Sequence, residues 1–265
     1  MKAQESRPDL IRSHYRIWEA FGMIIDDSGK ICAVTIDILT LFPEMFVGPL
    51  EWSIVKRAQD KHLMEIRMHD LRAWATDKYK SVDDRPYGGG AGMIMRVDVV
   101  DRAVDEIKKS CTVCQLHSCT VVLLDAGGEK YSQAKAEVLA KSGHLVIVCG
   151  HYEGVDHRVH EHIANEVISI GDYVLSGGEI PAMVIVDSVV RLLPGVLGNP
   201  QSLVEESFTH PRGVPQAQHH PGGEGGEEYP QYTRPEEYKC WKVPEILLSG
   251  DHKKIQDWRK NTSSK

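Results

Sequence analysis

Residues 166–195 constrain the fold more than any other stretch. EVISI at 166–170 is a short apolar, β-branched run that reads as a buried strand. It opens into a loop in which Gly171, Gly177 and Gly178 carry no Cβ, so that backbone amides and carbonyls can approach a ligand directly. Pro181 then opens a helix, where its missing N–H is harmless. Ile180, Met183, Val184, Asp187 and Arg191 follow at helical spacing, and Pro194-Gly195 is a stop signal. The same order occurs twice upstream. TVVLL at 120–124 is read as a strand turning at Asp125-Ala126-Gly127-Gly128 into a helix near 132–141, with Ser132 as N-cap. HLVIVC at 144–149 runs into Gly150-His151-Tyr152-Glu153-Gly154 and a helix over 155–163. This alternation predicts an α/β fold, a parallel sheet with helices on both faces. Ligands bind such sheets beyond the carboxyl ends of the strands, so the three loops are expected to share one pocket.

Other elements fit the same plan. ICAVTIDILTLF at 31–42 reads as a strand buried on both faces, and Pro43-Glu44-Met45-Phe46 opens a helix. A helical piece over 52–59, a strand over 63–68 and an amphipathic helix over 97–109 follow, the last with Val97, Val100, Val104 and Ile107 on one face. Residues 69–92 differ. Arg72, Lys78, Lys80 and Arg85, just after Arg67, alternate with Trp74, Tyr79 and Tyr87 in a loop nearly free of aliphatic residues. Such a loop suits either a nucleic-acid backbone with unstacked bases or plain solvation. Its Gly88-Gly89-Gly90 run matches neither G-x-G-x-x-G nor a phosphate loop, and no strand is followed by G-x-G-x-x-G, which disfavours a nicotinamide dehydrogenase.

The net charge of −7 means that a nucleic-acid partner would have to be met by a local patch. No apolar run is long enough to span a membrane, and charged residues interrupt any signal-peptide core within 1–30, which implies a cytosolic protein. Its six cysteines then read as free thiols. Cys111, Cys114, His117 and Cys119 do not split into two separated knuckles, so they read as a thiol-bearing loop and no metal site is assigned. His210, His219 and His220 fall in a glycine- and acid-rich tract that reads as solvated. Four segments result: an N-terminal extension at 1–30, whose possible helix at 11–23 carries no function; a main domain at 31–198; a flexible interdomain loop at 199–228; and a short C-terminal domain at 229–265. In the last, Trp241, Val243, Ile246, Leu247, Ile255 and Trp258 are the expected core, and the final fifteen residues are locally cationic.

Eight runs now bear on function: LFPEMF at 41–46, VDDRPYGGGAGM at 82–93, VCGHYEGVDHRV at 148–159, SIGDYVLSGGEIPAM at 169–183, DSVVRLLPGVLG at 187–198, EESF at 205–208, YTRP at 232–235 and VPEILLSGDH at 243–252. In these runs, in this order, the chain resembles the bacterial tRNA (guanine-N1)-methyltransferases of the knotted methyltransferase superfamily. The resemblance covers about residues 34–258. It implies a deep trefoil knot at the cofactor site, which general rules of topology would not lead one to expect. It also implies a small, mainly helical C-terminal domain that binds tRNA, a homodimer with shared sites and S-adenosylmethionine as methyl donor. A benefit from Mg2+ is implied too, although no residues mark a dedicated site. By motif match the cofactor residues are Leu123, Leu124 and Asp125; Gly150, Tyr152, Glu153 and Gly154; Ser169, Ile170, Gly171, Asp172, Tyr173, Val174 and Leu175; and Gly177, Gly178 and Pro181.

The reaction implied is methylation at N1 of the guanosine just 3′ of the anticodon. Guanine N1 is protonated at neutral pH, so a base must remove that proton while charge developing on O6 is stabilised. Where the family has an Asp before Ser-Phe, this chain has Glu206, which is assigned the base, with Glu205 as substitute; the longer side chain requires a shifted backbone. Arg191 is assigned to guanine O6. Two further departures are an insert from Thr209 to Glu228 and an end at Lys265, where relatives continue with helices that grip tRNA. A non-catalytic cofactor- and RNA-binding module, and a knotted methyltransferase acting on another RNA, are the alternatives.

Overall fold

The computed structural model describes residues 34–110, 119–199, 207–208 and 229–262. The chain divides into two compact units, Met1–Gly198 and Asn199–Lys265. The first contains, in chain order, β1 (Val34–Thr40), α1 (Ser53–Asp60), β2 (Met64–Asp70), β3 (Asp83–Asp84), β4 (Ile94–Met95), α2 (Val97–Ser110), β5 (Cys119–Lys130), α3 (Gln133–Leu139), β6 (His144–Cys149), α4 (His157–His162), β7 (Glu166–Ser169) and α5 (Glu179–Leu192). Five strands form one sheet in the order β2-β1-β6-β5-β7, and every pairing is parallel.

β1 and β6 are buried along their whole length because both faces of the sheet are covered, whereas the edge strand β2 leaves Glu65, Arg67 and Met68 exposed. On one face Ile36, Ile38, Val122, Leu124, Leu145, Ile147 and Ile168 pack with Val55 of α1, Leu139 of α3 and Ile185 and Val189 of α5. On the other, Leu39, Val121, Leu123, Val146 and Val148 pack with Val100 and Val104 of α2 and Val159 of α4. Helices therefore cover both faces of the sheet, as the alternation predicts.

Several local expectations change. The turn read at 125–128 is a bulge instead: β5 continues to Lys130, and Leu124 and Glu129 both oppose Ile168. Gly128 is demanded by close approach, since a Cβ there would stand 2.6 Å from the Val167 carbonyl. The helix expected at Pro43 is a single 3-10 turn, Pro43–Phe46. In α5 the buried residues include Ala182, Ile185, Val186, Val189 and Val190, which leaves Ile180 and Val184 exposed on the opposite side.

Residues 69–92 are not one open loop. Leu71–Trp74 form a 3-10 turn, and β3 pairs antiparallel with β4. The Arg72 guanidinium donates to the Leu41 carbonyl and lies over the Phe42 ring, and Trp74 Nε1 donates to Glu106. Those two residues thus serve packing, while Tyr79 and Tyr87 stand in solvent. The possible helix at 11–23, the insert at 209–228, the three tract histidines, and Cys111, Cys114 and His117 lie outside the described residues.

In the second unit β8 (Glu237–Tyr238) pairs with β9 (Trp241–Lys242), followed by α6 (Glu245–Leu248) and α7 (His252–Thr262). Trp241, expected in a core, is 70% exposed. Its strand is two residues long, and among the described residues no second layer buries the ring. Val243, Ile246, Leu247, Ile255 and Trp258 are half-buried rather than core.

Candidate functional site

β6, β5 and β7 are neighbours in the sheet, so the loops at their carboxyl ends open onto one place. They enclose a cleft of about 190 Å³. Leu124 and Asp125 line it from β5; Gly150, Tyr152, Glu153 and Gly154 line it after β6; Ser169, Ile170 and Gly171 line it at the end of β7. Tyr173, Val174, Leu175, Gly177, Gly178 and Pro181 complete it.

Two of the predicted cofactor residues stand apart. Leu123 is wholly buried on the α2/α4 face, because neighbouring strand residues point to opposite sides. Asp172 forms an exposed ion pair with Lys130 at 2.5 Å. Four lining residues were not predicted: Ala126, His151, Ile168 and Ser176. His151 and Ser176 sit inside motif runs, so adjacency was the available signal. Ala126 enters only through the bulge, which resembles an ordinary turn in sequence.

Close backbone contacts set the cleft's shape. Gly178 N donates to Gly150 O at 2.8 Å, and a Cβ on Gly178 would lie 2.7 Å from Cys149 Cα. The 171–178 loop therefore lies directly against the start of the 150–154 loop. A Cβ on Gly171 would meet the Tyr173 ring at 2.5 Å. From outside, Glu153 N donates to Met93 O and Met95 N to Gly154 O, at 3.1 and 3.0 Å. A Cβ on Gly92 would stand only 2.2 Å from Glu153 Cγ. The glycine-dense run before β4 is thus part of the brace that seats Glu153.

Asp125 accepts from Gly127 N at 2.8 Å and faces His160 Nε2 at 3.3 Å. His151 Nδ1 is buried without a hydrogen-bond partner. Burial first, and then Asp83, pushes the Tyr152 phenol up. The cleft lining contains the carboxylates Asp125 and Glu153 and neither Lys nor Arg. That donor set, together with apolar Leu124, Ile168, Leu175 and Pro181, fits an organic cation with a flat ring, such as an adenosyl sulfonium. Among the described residues no group of His, Cys, Asp and Glu could hold a metal ion.

The two proposed catalytic residues are not brought to the cleft within the described chain. Arg191 is half-buried in the last turn of α5. Ten residues separate it from Pro181 at the cleft rim, roughly 15 Å of helix. Glu206, like Glu205, lies outside the described residues.

A parallel α/β sheet with a glycine-shaped, carboxylate-lined cleft at the ends of three adjacent strands defines a cofactor-binding class of protein. Within that class the match is particular: residues 34–265 fit the family described as tRNA (Guanine-1)-methyltransferase TrmD, and the chain belongs to it. It is 51% identical over 230 residues to the tRNA (guanine-N(1)-)-methyltransferase of Dictyoglomus turgidum, covering 87% of this chain and 85% of that one. The enzyme of the same name from Geobacillus kaustophilus is 51% identical over 228 residues, 86% of either chain. That of Bacillus cereus strain AH820 is 49% identical over the same share.

Proposed function

We propose that this chain transfers a methyl group from S-adenosylmethionine to N1 of the guanosine immediately 3′ of the anticodon in tRNA, limiting reading-frame errors. The observation that carries the proposal is the cleft at the ends of β5, β6 and β7, built from the motif runs of this family and lined by carboxylates without a cation. When bound there, the cofactor supplies an electrophilic methyl on a good leaving group. The protein's own part is positioning and proton handling. Glu206 takes the N1 proton as N1 attacks. Arg191 donates to O6, where negative charge develops.

The enzyme acts as a homodimer. One chain leaves Arg191 far along α5 from its own cleft, and the exposed Ile180 and Val184 give that helix an apolar outer stripe suited to a second copy. A cleft of about 190 Å³ is also below the ~300 Å³ of ordinary small-molecule sites, which suits completion by another element. Membership of this family supports a trefoil knot at the cofactor site. Residues 31–198 form the cofactor domain, 199–228 the interdomain loop and 229–265 the tRNA-binding domain, after an extension at 1–30. Mg2+ assists turnover, and the protein works in the cytoplasm; among the described residues no helix is long and apolar enough to cross a membrane.

The test is methyl transfer from labelled S-adenosylmethionine to unmodified tRNA with guanosine 3′ of the anticodon, using wild type, Glu206→Ala and Arg191→Ala. The expected result is 1-methylguanosine from wild type and a loss of kcat on the order of 100-fold or more in either variant. Activity that survives Glu206→Ala moves the base to Glu205. Cofactor binding without transfer to any tRNA overturns the enzymatic reading.

A further inference from the structure

The β8–β9 hairpin carries an arrangement that the methyl-transfer chemistry does not use. Tyr238 and Trp241 are directly opposed across the turn, with ring centroids 5.9 Å apart and planes tilted by 54°. Both rings are open to solvent, at 55% and 70% exposure. Lys239 Nζ lies 5.4 Å from the Tyr238 centroid and 5.9 Å from that of Trp241, so one ammonium serves both rings. The turn that presents them places Lys239 at φ 57° and Cys240 at φ 92°. Two-residue hairpins with both central residues at positive φ favour Asn-Gly, because larger side chains are strained there. Lys-Cys occupies those positions instead, and the strain holds a cation above two aromatic faces.

Among the described residues of this unit, the rings contact each other and Lys239 and stay open to solvent. No described side chain between 229 and 262 is buried. The segment's charge also departs from that of the chain. Residues 229–265 hold eight Lys or Arg against five Asp or Glu, whereas the whole chain carries −7. An exposed aromatic pair with an adjacent lysine, on a locally cationic segment of an acidic protein, is complementary to a polyanion with flat, apolar bases.

We propose that the Tyr238–Lys239–Trp241 tip is a stacking platform for an unstacked base of the RNA substrate, with Lys239 turned to an adjoining phosphate. This rests on the reading of tRNA as substrate and adds a contact outside the methyl-transfer site. Trp241 offers the larger and more open face, so it takes the base, and Tyr238 supports it edgewise.

The experiment compares wild type with Trp241→Ala, Trp241→Phe and Lys239→Ala, reading tRNA affinity by filter binding, S-adenosylmethionine affinity by calorimetry and single-turnover methylation. Base stacking on an aromatic ring predicts a tRNA affinity on the order of tenfold weaker for Trp241→Ala, largely restored in Trp241→Phe, with cofactor affinity unchanged. Lys239→Ala should weaken binding and flatten the dependence of log affinity on log salt by about one phosphate contact. Equal thermal midpoints would separate these effects from misfolding. Unchanged tRNA affinity in Trp241→Ala, with wild type active, overturns the platform and leaves the enzyme reading standing. A wild type that neither binds nor methylates tRNA overturns both. A shift of Trp241→Ala from dimer to monomer in sedimentation assigns the tip to a second copy of this chain and overturns the RNA assignment.

Discussion

Thr40 Oγ1 donates a 2.7 Å hydrogen bond to Glu179 Oε1, linking two residues 139 positions apart. Both are buried, Thr40 at the end of β1 and Glu179 in the first turn of α5. The same Thr40 hydroxyl accepts from Phe42 N at 2.9 Å. The bond ties the helix that carries Pro181 to the carboxyl end of β1, the strand beside β6. Burial chiefly, with the Glu179 charge nearby, also pushes the Cys149 thiol well up, so Cys149 is a buried neutral thiol there.

Thr40→Val therefore removes one partner from a buried carboxylate. The expected loss is about 1–3 kcal/mol of unfolding free energy, since a buried polar group left short of a donor bears its desolvation cost. Thr40→Ser keeps the hydroxyl and should recover most of it. Urea unfolding of the two variants checks this; equal midpoints for Val and Ser would show that the bond contributes little.

How much of this was legible in the sequence depends on the length scale of the contact. The parallel sheet could be read because β1 and β6 are buried on both faces and the apolar runs of β5, β6 and β7 are each followed by glycine. The cleft could be read because three such strands are adjacent, which brings Gly150, Gly171 and Gly178 together. The bulge at 125–128 could not, because Asp-Ala-Gly-Gly is also a turn signature and only the register of β5 against β7 distinguishes the two. Trp241 was misassigned because an apolar residue in a short strand reads as core whether or not a second layer exists. The Thr40–Glu179 bond had no local signal at all.

Asp37 controls stability in acid. It lies in the middle of β1, almost fully buried, and contacts His144 Nε2 and His69 Nε2 at 2.5 Å each. Burial alone would raise its pKa, but the hydrogen bonds and charges of His144 and His69 overcome that and hold it at about 2, against 3.8 ordinarily. A folded-state pKa below the unfolded value gives stability that is full above about pH 4 and is lost as pH falls towards 2. The contribution is about 2 kcal/mol. Unfolding free energies between pH 5 and pH 2 should fall less steeply in Asp37→Asn than in wild type by about that amount. Parallel curves would remove Asp37 from the acid response.

Gly92→Ala tests Glu153 as a contact of the cofactor. The new Cβ meets the Glu153 side chain at 2.2 Å, and φ at Gly92 is +78°, so the substitution both strains the backbone and displaces a cleft carboxylate. The strain alone costs roughly 1–2 kcal/mol. Glu153 belongs to the lining, so S-adenosylmethionine affinity should fall on the order of tenfold if this carboxylate meets the cofactor's charge. Calorimetric titration reads the affinity, and a value within twofold of wild type would show that Glu153 does not act on the ligand.

Gly178→Ala tests the loop contact from which the cleft is made. Its Cβ would face Cys149 Cα at 2.7 Å and Gly150 N at 2.9 Å, atoms of a backbone pinned by the sheet. No side chain can rotate away, so the 171–178 loop must lift, breaking the bond from Gly178 N to Gly150 O. Overpacking of this kind costs about 1–3 kcal/mol. Because the displaced backbone is itself the wall of the cleft, cofactor affinity should fall by more than tenfold while the sheet stays intact. Gly198→Ala is the control, since a Cβ there meets nothing within 4 Å and the backbone is not in the left-handed region. It should leave affinity unchanged and stability within about 1 kcal/mol of wild type. Equal affinities for both variants would mean that the cleft tolerates a loop shift larger than a methyl group and that its shape does not depend on Gly178.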